Sequence, residues 1–198
     1  MASSLKGKTV AILATDGFEQ SELMKPKQAL EDAGAKTQVV SPAEGKKIKG
    51  WNHKDWGEEV AVDVPLKSAD ATKYDALLLP GGVMNPDQLR MNPDAVKFVK
   101  SFFDEQKPVA AICHGPWMLV EAGAAHGRTL TSWPSLKTDI RNAGGTWVDE
   151  EVNVGNGVVT SRKPDDLPAF NREMIELFAK GVVGSLESAK EESAKKAA

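Results

Sequence analysis

Lys107-Pro108-Val109-Ala110-Ala111-Ile112-Cys113-His114-Gly115-Pro116 is the stretch whose reading decides the fold. Val109 to Ile112 is a short apolar run of the kind that forms a buried strand, and Gly115-Pro116 opens a helix through Trp117, Leu119 and Val120. Cys113 therefore falls on the tight turn between a strand and a helix. Such an elbow aims a side chain outward from the sheet edge and sets it near the positive end of a helix dipole. That field favours thiolate, the reactive form, so the pKa of Cys113 is expected below that of free cysteine. His114 follows at once and offers a base or proton carrier. The alternative is an inert thiol that serves as a small buried hydrophobe.

Upstream, Thr9-Val10-Ala11-Ile12-Leu13-Ala14 reads as a buried strand, followed by a turn at Thr15-Asp16-Gly17-Phe18-Glu19 and a helix from about Ser21 to Ala33 ended by Gly34. With a second strand over Thr37 to Val40, this opening implies a parallel sheet with a right-handed crossover. Ligand sites in such sheets lie beyond the carboxyl ends of the strands, where Asp16, Gly17 and Glu19 fall. By position alone Glu19 is an exposed acid in a first helical turn; the alternative is a buried carboxyl beside the thiol, its pKa raised by desolvation. Asp75 to Leu79 is a further parallel strand, stopped by Pro80-Gly81-Gly82. If that turn lies beside the elbow, the amides of Gly82 and His114 form an oxyanion hole. Asp87 follows, where it can simply cap a local helix.

The remaining segments fit the same plan. Lys46 to Trp51 and Glu59 to Val64 alternate like edge strands around Asn52-His53-Lys54-Asp55, a small antiparallel appendage whose Trp51 and Trp56 suit a subunit interface. Helices are expected over Asp94 to Gln106, Ser135 to Ala143 and Asp165 to Lys180, and short strands at Arg128 to Ser132, Thr146 to Val148, Val152 to Val154 and Val158 to Ser161. The domain organisation read from this pattern is a flexible leader over 1–7, one domain over 8–183 and a charged, frayed tail over 184–198.

At 198 residues, 41% of them hydrophobic, the chain suits one α/β domain. The net charge of −3 is scattered, with neither a nucleic-acid stripe nor a basic membrane-binding face. One unpaired cysteine and no apolar signal region point to a reducing cytoplasm, and the three histidines are too far apart for zinc spacing.

Four motifs in this order carry a resemblance: Gly17-Phe18-Glu19 with Glu22-Leu23, Leu79-Pro80-Gly81-Gly82, Ala111-Ile112-Cys113-His114-Gly115-Pro116, and Thr131-Ser132-Trp133-Pro134. The chain resembles the ThiJ/PfpI family, nearest its PfpI-type intracellular protease subgroup. That resemblance implies a flavodoxin-like three-layer sandwich related to class I glutamine amidotransferases, with a mostly parallel central sheet. It also implies Cys113 as nucleophile, His114 as its neighbour, Glu19 as the carboxyl contacting the thiol, and self-association as a dimer or hexamer. Asp87 stands near where peptidase-type members carry a Glu that acts from an adjacent subunit, and Trp133 stands where some archaeal members carry Tyr.

Three functions compete for the same thiol. The preferred one is a glyoxalase III or deglycase type hydrolase acting on a small dicarbonyl or a glycated substrate, needing no glutathione, metal or other cofactor. In it Cys113 adds to the aldehyde and Glu19 moves a proton between adjacent carbons. The second is a cysteine peptidase using Cys113, His114 and Asp87 in trans. The third is a redox-sensing or chaperone-like stress protein in which Cys113 oxidises to a sulfinate.

Overall fold

Alternation along the first strand already sorts the core into two halves. Val10 and Ile12 face one side of the sheet and Ala11 and Leu13 the other, all fully buried. The structure is a computed structural model that describes residues 4–181. Its first half runs β1 (Thr9–Leu13), β2 (Phe18–Glu19), α1 (Gln20–Asp32), β3 (Lys36–Ser41), β4 (Lys47–Asn52), β5 (Asp55–Ala61), β6 (Val64–Pro65), β7 (Ala76–Leu79), α2 (Met84–Arg90) and α3 (Pro93–Asp104). The second runs β8 (Val109–Ile112), α4 (Trp117–Glu121), β9 (Thr129–Leu130), α5 (Lys137–Asn142), β10 (Thr146–Trp147), β11 (Val152–Gly155), β12 (Val158–Ser161) and α6 (Leu167–Lys180).

Seven strands form the central sheet in the order β11-β12-β8-β7-β1-β3-β6, parallel throughout except for β11 against β12. Helices α1 and α6 cover one face and α2 to α5 the other, which makes the flavodoxin-like three-layer sandwich. The chain leaves β1 outward to β3 and then returns to the far side of β1 to lay down β7, so the strand order reverses there. A crevice forms at such a reversal, beyond the carboxyl ends of the strands. Leu79 pairs with Ala111, so the turn after β7 and the elbow after β8 emerge side by side.

Two features depart from the sequence reading. The hairpin β4–β5 is antiparallel as expected, but β2 joins β4 in parallel, so the appendage is a mixed three-stranded sheet. The Gly17 N–H on Lys49 O (2.8 Å) and the Lys49 N–H on Asp16 Oδ1 (2.7 Å) fasten it to the loop that leads into α1. The leader expected over 1–7 is, in its second half, part of the domain: Leu5 is fully buried and its N–H donates to Ala33 O at 2.8 Å. The tail over 184–198 lies outside the described residues.

Candidate active site

Cys113 sits at φ +61°, a left-handed backbone that is uncommon for a residue with a Cβ. Such strain, of order 1–3 kcal/mol, persists only where the surroundings over-determine it. Here they do: the Cys113 N–H is held by Ser161 O (3.0 Å), its carbonyl accepts from Trp133 N–H (2.9 Å), and the Gly115 N–H closes the turn on Ile112 O (2.8 Å). The elbow turns the thiol into a pocket built by the glycine turn after β7. A Cβ on Gly81 would lie 2.6 Å from the Cys113 Cβ and run into Glu22 Oε2, so only glycine fits there. Gly82 adopts φ +78°, which points its amide at the Cys113 sulfur, where the His114 amide also converges. The two N–H groups that the sequence suggested for an oxyanion hole therefore meet at one atom.

The carboxyl against the thiol is Glu22, where the sequence reading expected Glu19. Glu22 is fully buried; its Oε2 accepts the Gly81 N–H at 3.0 Å, and its Oε1 makes no hydrogen bond among the described residues. Glu19 flanks the start of α1, half-buried, with Oε1 accepting from Ser21 Oγ at 3.2 Å. Glu19 is the extended N-cap residue (φ −64°, ψ 117°), outside the helix, whereas Glu22 lies in the first turn on the buried side of α1. A signal for Glu22 was present in the sequence: it shares the spacing of four with Pro26 and Leu30, the buried stripe of α1. A carboxyl on an apolar stripe must be buried, and a buried carboxyl needs a reason.

Burial raises the Glu22 pKa to about 8, with the Glu19 charge adding to the effect, so Glu22 is a neutral acid at pH 7. For Cys113 the direction is opposite to the expectation: burial and the Glu22 charge push the thiol well above its ordinary value, against the pull of the Gly82 and His114 amides. The helix meant to lower it is only the five residues of α4 and starts after an intervening turn, too short for a strong dipole. Protonating Glu22 removes the like charge, so a neutral acid and a thiolate are the compatible pair.

His114 is buried and held from four sides. Its Nδ1 lies 3.2 Å from the Cys113 sulfur and its Nε2 3.3 Å from Ser135 Oγ. Trp117 packs against it at a tilt and Trp133 stacks on it, with centroids 5.1 and 6.0 Å away. Desolvation lowers its pKa to about 4, so it is a neutral imidazole that gives a proton on one nitrogen only as it takes one on the other. Asp87, expected to serve His114, does not reach it within the chain. It lies on α2, where Arg90 binds its Oδ1 through Nε (3.0 Å) and Nη2 (2.7 Å). Ser135 and Trp117, which the sequence reading left unassigned, carry no local pattern that marks them.

The DJ-1/PfpI family profile matches residues 8–177. The chain belongs to the DJ-1/PfpI family. It is 45% identical over 175 residues to General stress protein 18 of Bacillus subtilis, covering 88% of this chain and 99% of the relative. It is 42% identical over 171 residues to a second protein of that bacterium, named "Putative cysteine protease YraA", covering 86% and 98%. Among solved structures, a two-domain protein from Anabaena variabilis with DJ-1/ThiJ/PfpI-like and ferritin-like domains superposes with a TM-score of 0.80 at 35% identity, covering 85% of this chain and 47% of that one. DJ-1 of Schizosaccharomyces pombe superposes with a TM-score of 0.76 at 21% identity over 90% of this chain and 93% of that one, a likeness of fold. No helix among the described residues of this DJ-1/PfpI protein is long and apolar enough to cross a membrane.

Proposed function

We propose that this protein is a cysteine-dependent hydrolase of reactive carbonyls, of the glutathione-independent glyoxalase or deglycase type, acting in stress protection. One observation carries the reading: Glu22 is a carboxylic acid kept neutral near pH 7 and set against the only thiol of the chain. Carbonyl isomerisation needs such a group, because it must give a proton at one atom and collect one at the next. The 45% identity to a protein named for general stress supports the physiological setting.

In this scheme the Cys113 thiol releases its proton to solvent and the resulting thiolate adds to the aldehyde carbon of methylglyoxal, while the amides of Gly82 and His114 stabilise the developing oxyanion. Glu22 protonates that oxygen, giving a hemithioacetal and a Glu22 carboxylate. The carboxylate carries the proton from C1 to C2 as the hydroxyl proton passes from the first oxygen to the second. C1 is thereby oxidised to a thioester and C2 reduced to a carbinol, with no outside electron acceptor. Water then cleaves the thioester, releasing lactate and restoring the thiol. The test is lactate formation from methylglyoxal by the purified protein, expected in the wild type and abolished in Cys113→Ala; a wild type that forms no lactate overturns the assignment.

A second reading, peptide hydrolysis, is supported by the relative named as a cysteine protease. It assigns Asp87 to a neighbouring subunit's His114, in a dimer or hexamer. A fluorogenic peptide assayed beside methylglyoxal separates the two readings.

A further inference from the structure

His114 is the middle ring of three. Trp117 lies on one side, tilted by 58°, and Trp133 on the other, its plane within 25° of the imidazole. Trp117 is fully engaged: its indole N–H donates to Asp139 Oδ2 at 2.8 Å and the Arg90 guanidinium covers its face at 4.3 Å. Trp133 has no such cover and is 40% exposed. Its position is nevertheless fixed, because its N–H donates to Cys113 O at 2.9 Å and its carbonyl accepts from Ser132 Oγ (2.9 Å) and Leu136 N–H (3.1 Å). A large rigid ring held in water beside a reactive thiol is a surface that gains by being covered.

Three acids linked to the site are already engaged. Asp87 is bound by Arg90, Asp139 accepts from Trp117, and Glu22 is sealed beneath the thiol as a neutral acid. What the site offers beside the sulfur is therefore a flat apolar face rather than an unpaired charge. We infer that Trp133 is a substrate-recognition residue that docks a flat, uncharged hydrocarbon group borne by the carbon next to the one Cys113 attacks. Aryl-substituted 2-oxoaldehydes, and those with alkyl groups larger than methyl, are then the substrate class, in preference to glyoxal and methylglyoxal. The inference rests on the carbonyl reading, but the aromatic subsite can be tested without turnover.

The probe is alkylation of Cys113 by N-benzyliodoacetamide and by iodoacetamide, each rate divided by that of glutathione to cancel intrinsic reactivity. Wild type is expected to favour the benzyl reagent by about tenfold over glutathione's own preference, the scale of one good aromatic contact. Trp133→Ala should fall to within about twofold of glutathione and Trp133→Phe should keep most of the preference. The ratio of kcat/KM for phenylglyoxal over methylglyoxal should follow the same order. A wild-type ratio equal to glutathione's overturns the inference even if Trp133→Ala does not fold, and so does a Trp133→Ala protein that keeps the preference. A retained alkylation preference with no turnover of either aldehyde overturns the carbonyl assignment and leaves the aromatic subsite standing.

Discussion

Glu22 on the first helix and Cys113 at the elbow after β8 lie against each other, both buried; burial raises both pKa values, the Glu22 charge raises that of Cys113 further, and the hydrogen bond from Cys113 lowers that of Glu22. The pair therefore titrates as a unit, and its protons belong to both residues. A carboxylate and a thiolate side by side are disfavoured; one of the two stays protonated through the neutral range.

That arrangement gives stability a sign with pH. Glu22 is held at about 8 when folded, against 4.5 for the ordinary group. The native state thus keeps a proton that the unfolded chain has lost, and stability falls as pH rises from about 4.5 to about 8. Glu22→Gln keeps the shape and has nothing to titrate. Urea unfolding at pH 5.5 and 8.5 should show wild type losing a few kcal/mol more than the variant between the two. Equal losses would mean that Glu22 is ionised at neutrality. The same variant should lower lactate formation by about 100-fold or more, the usual worth of a general acid–base group.

His114 supplies the opposite slope on the acid side. Its folded pKa of about 4 lies below the ordinary 6.5, so its contribution is complete above pH 6.5 and is lost as pH falls through that window. The ring C–H resonance of His114 should titrate near 4, and His114→Asn should melt with less acid sensitivity than wild type. A midpoint near 6.5 would show an imidazole open to solvent.

Asp87 and Arg90 form a partly exposed pair whose side chains are 47% and 34% accessible. Such pairs contribute about 0–1 kcal/mol. Asp87→Asn should therefore leave the melting temperature nearly unchanged and lactate formation within about threefold of wild type. A loss as deep as that of Cys113→Ala would make Asp87 part of an obligate triad between subunits and remove the single-chain mechanism.

The glycine turn gives a steric test. At Gly81 a methyl group meets the Cys113 Cβ at 2.6 Å with the Glu22 carboxyl and backbone behind it, whereas a Cβ at Gly155 meets nothing within 4 Å. Gly81→Ala should destabilise by about 1–3 kcal/mol and abolish thiol chemistry, because the elbow and the acid must both give way. Gly155→Ala should alter neither. An active, stable Gly81→Ala protein would show that the contact between Glu22 and Cys113 is not needed.

Local pattern was enough for most of the architecture. Apolar runs at Thr9 to Leu13, Ala76 to Leu79 and Val109 to Ile112, each stopped by a turn, require a buried parallel sheet, since only helices on both faces can cover such strands. The same logic placed Cys113 on a strand-to-helix turn, because strand ends are fixed by the residues that end them; the Gly82 amide reaches it only because β7 pairs beside β8. Glu22 was legible in the phase of α1, through its spacing to Pro26 and Leu30, but the sequence reading considered only Glu19, for its place at the strand end. The sign of the Cys113 pKa shift, the neutrality of His114 and the position of Ser135 were not legible. Each depends on how much water and which distant charges surround a group, and desolvation and Coulomb energies are properties of the assembled surroundings. Sequence alone determined which residues end which strands; tertiary structure decided which of their side chains are dry.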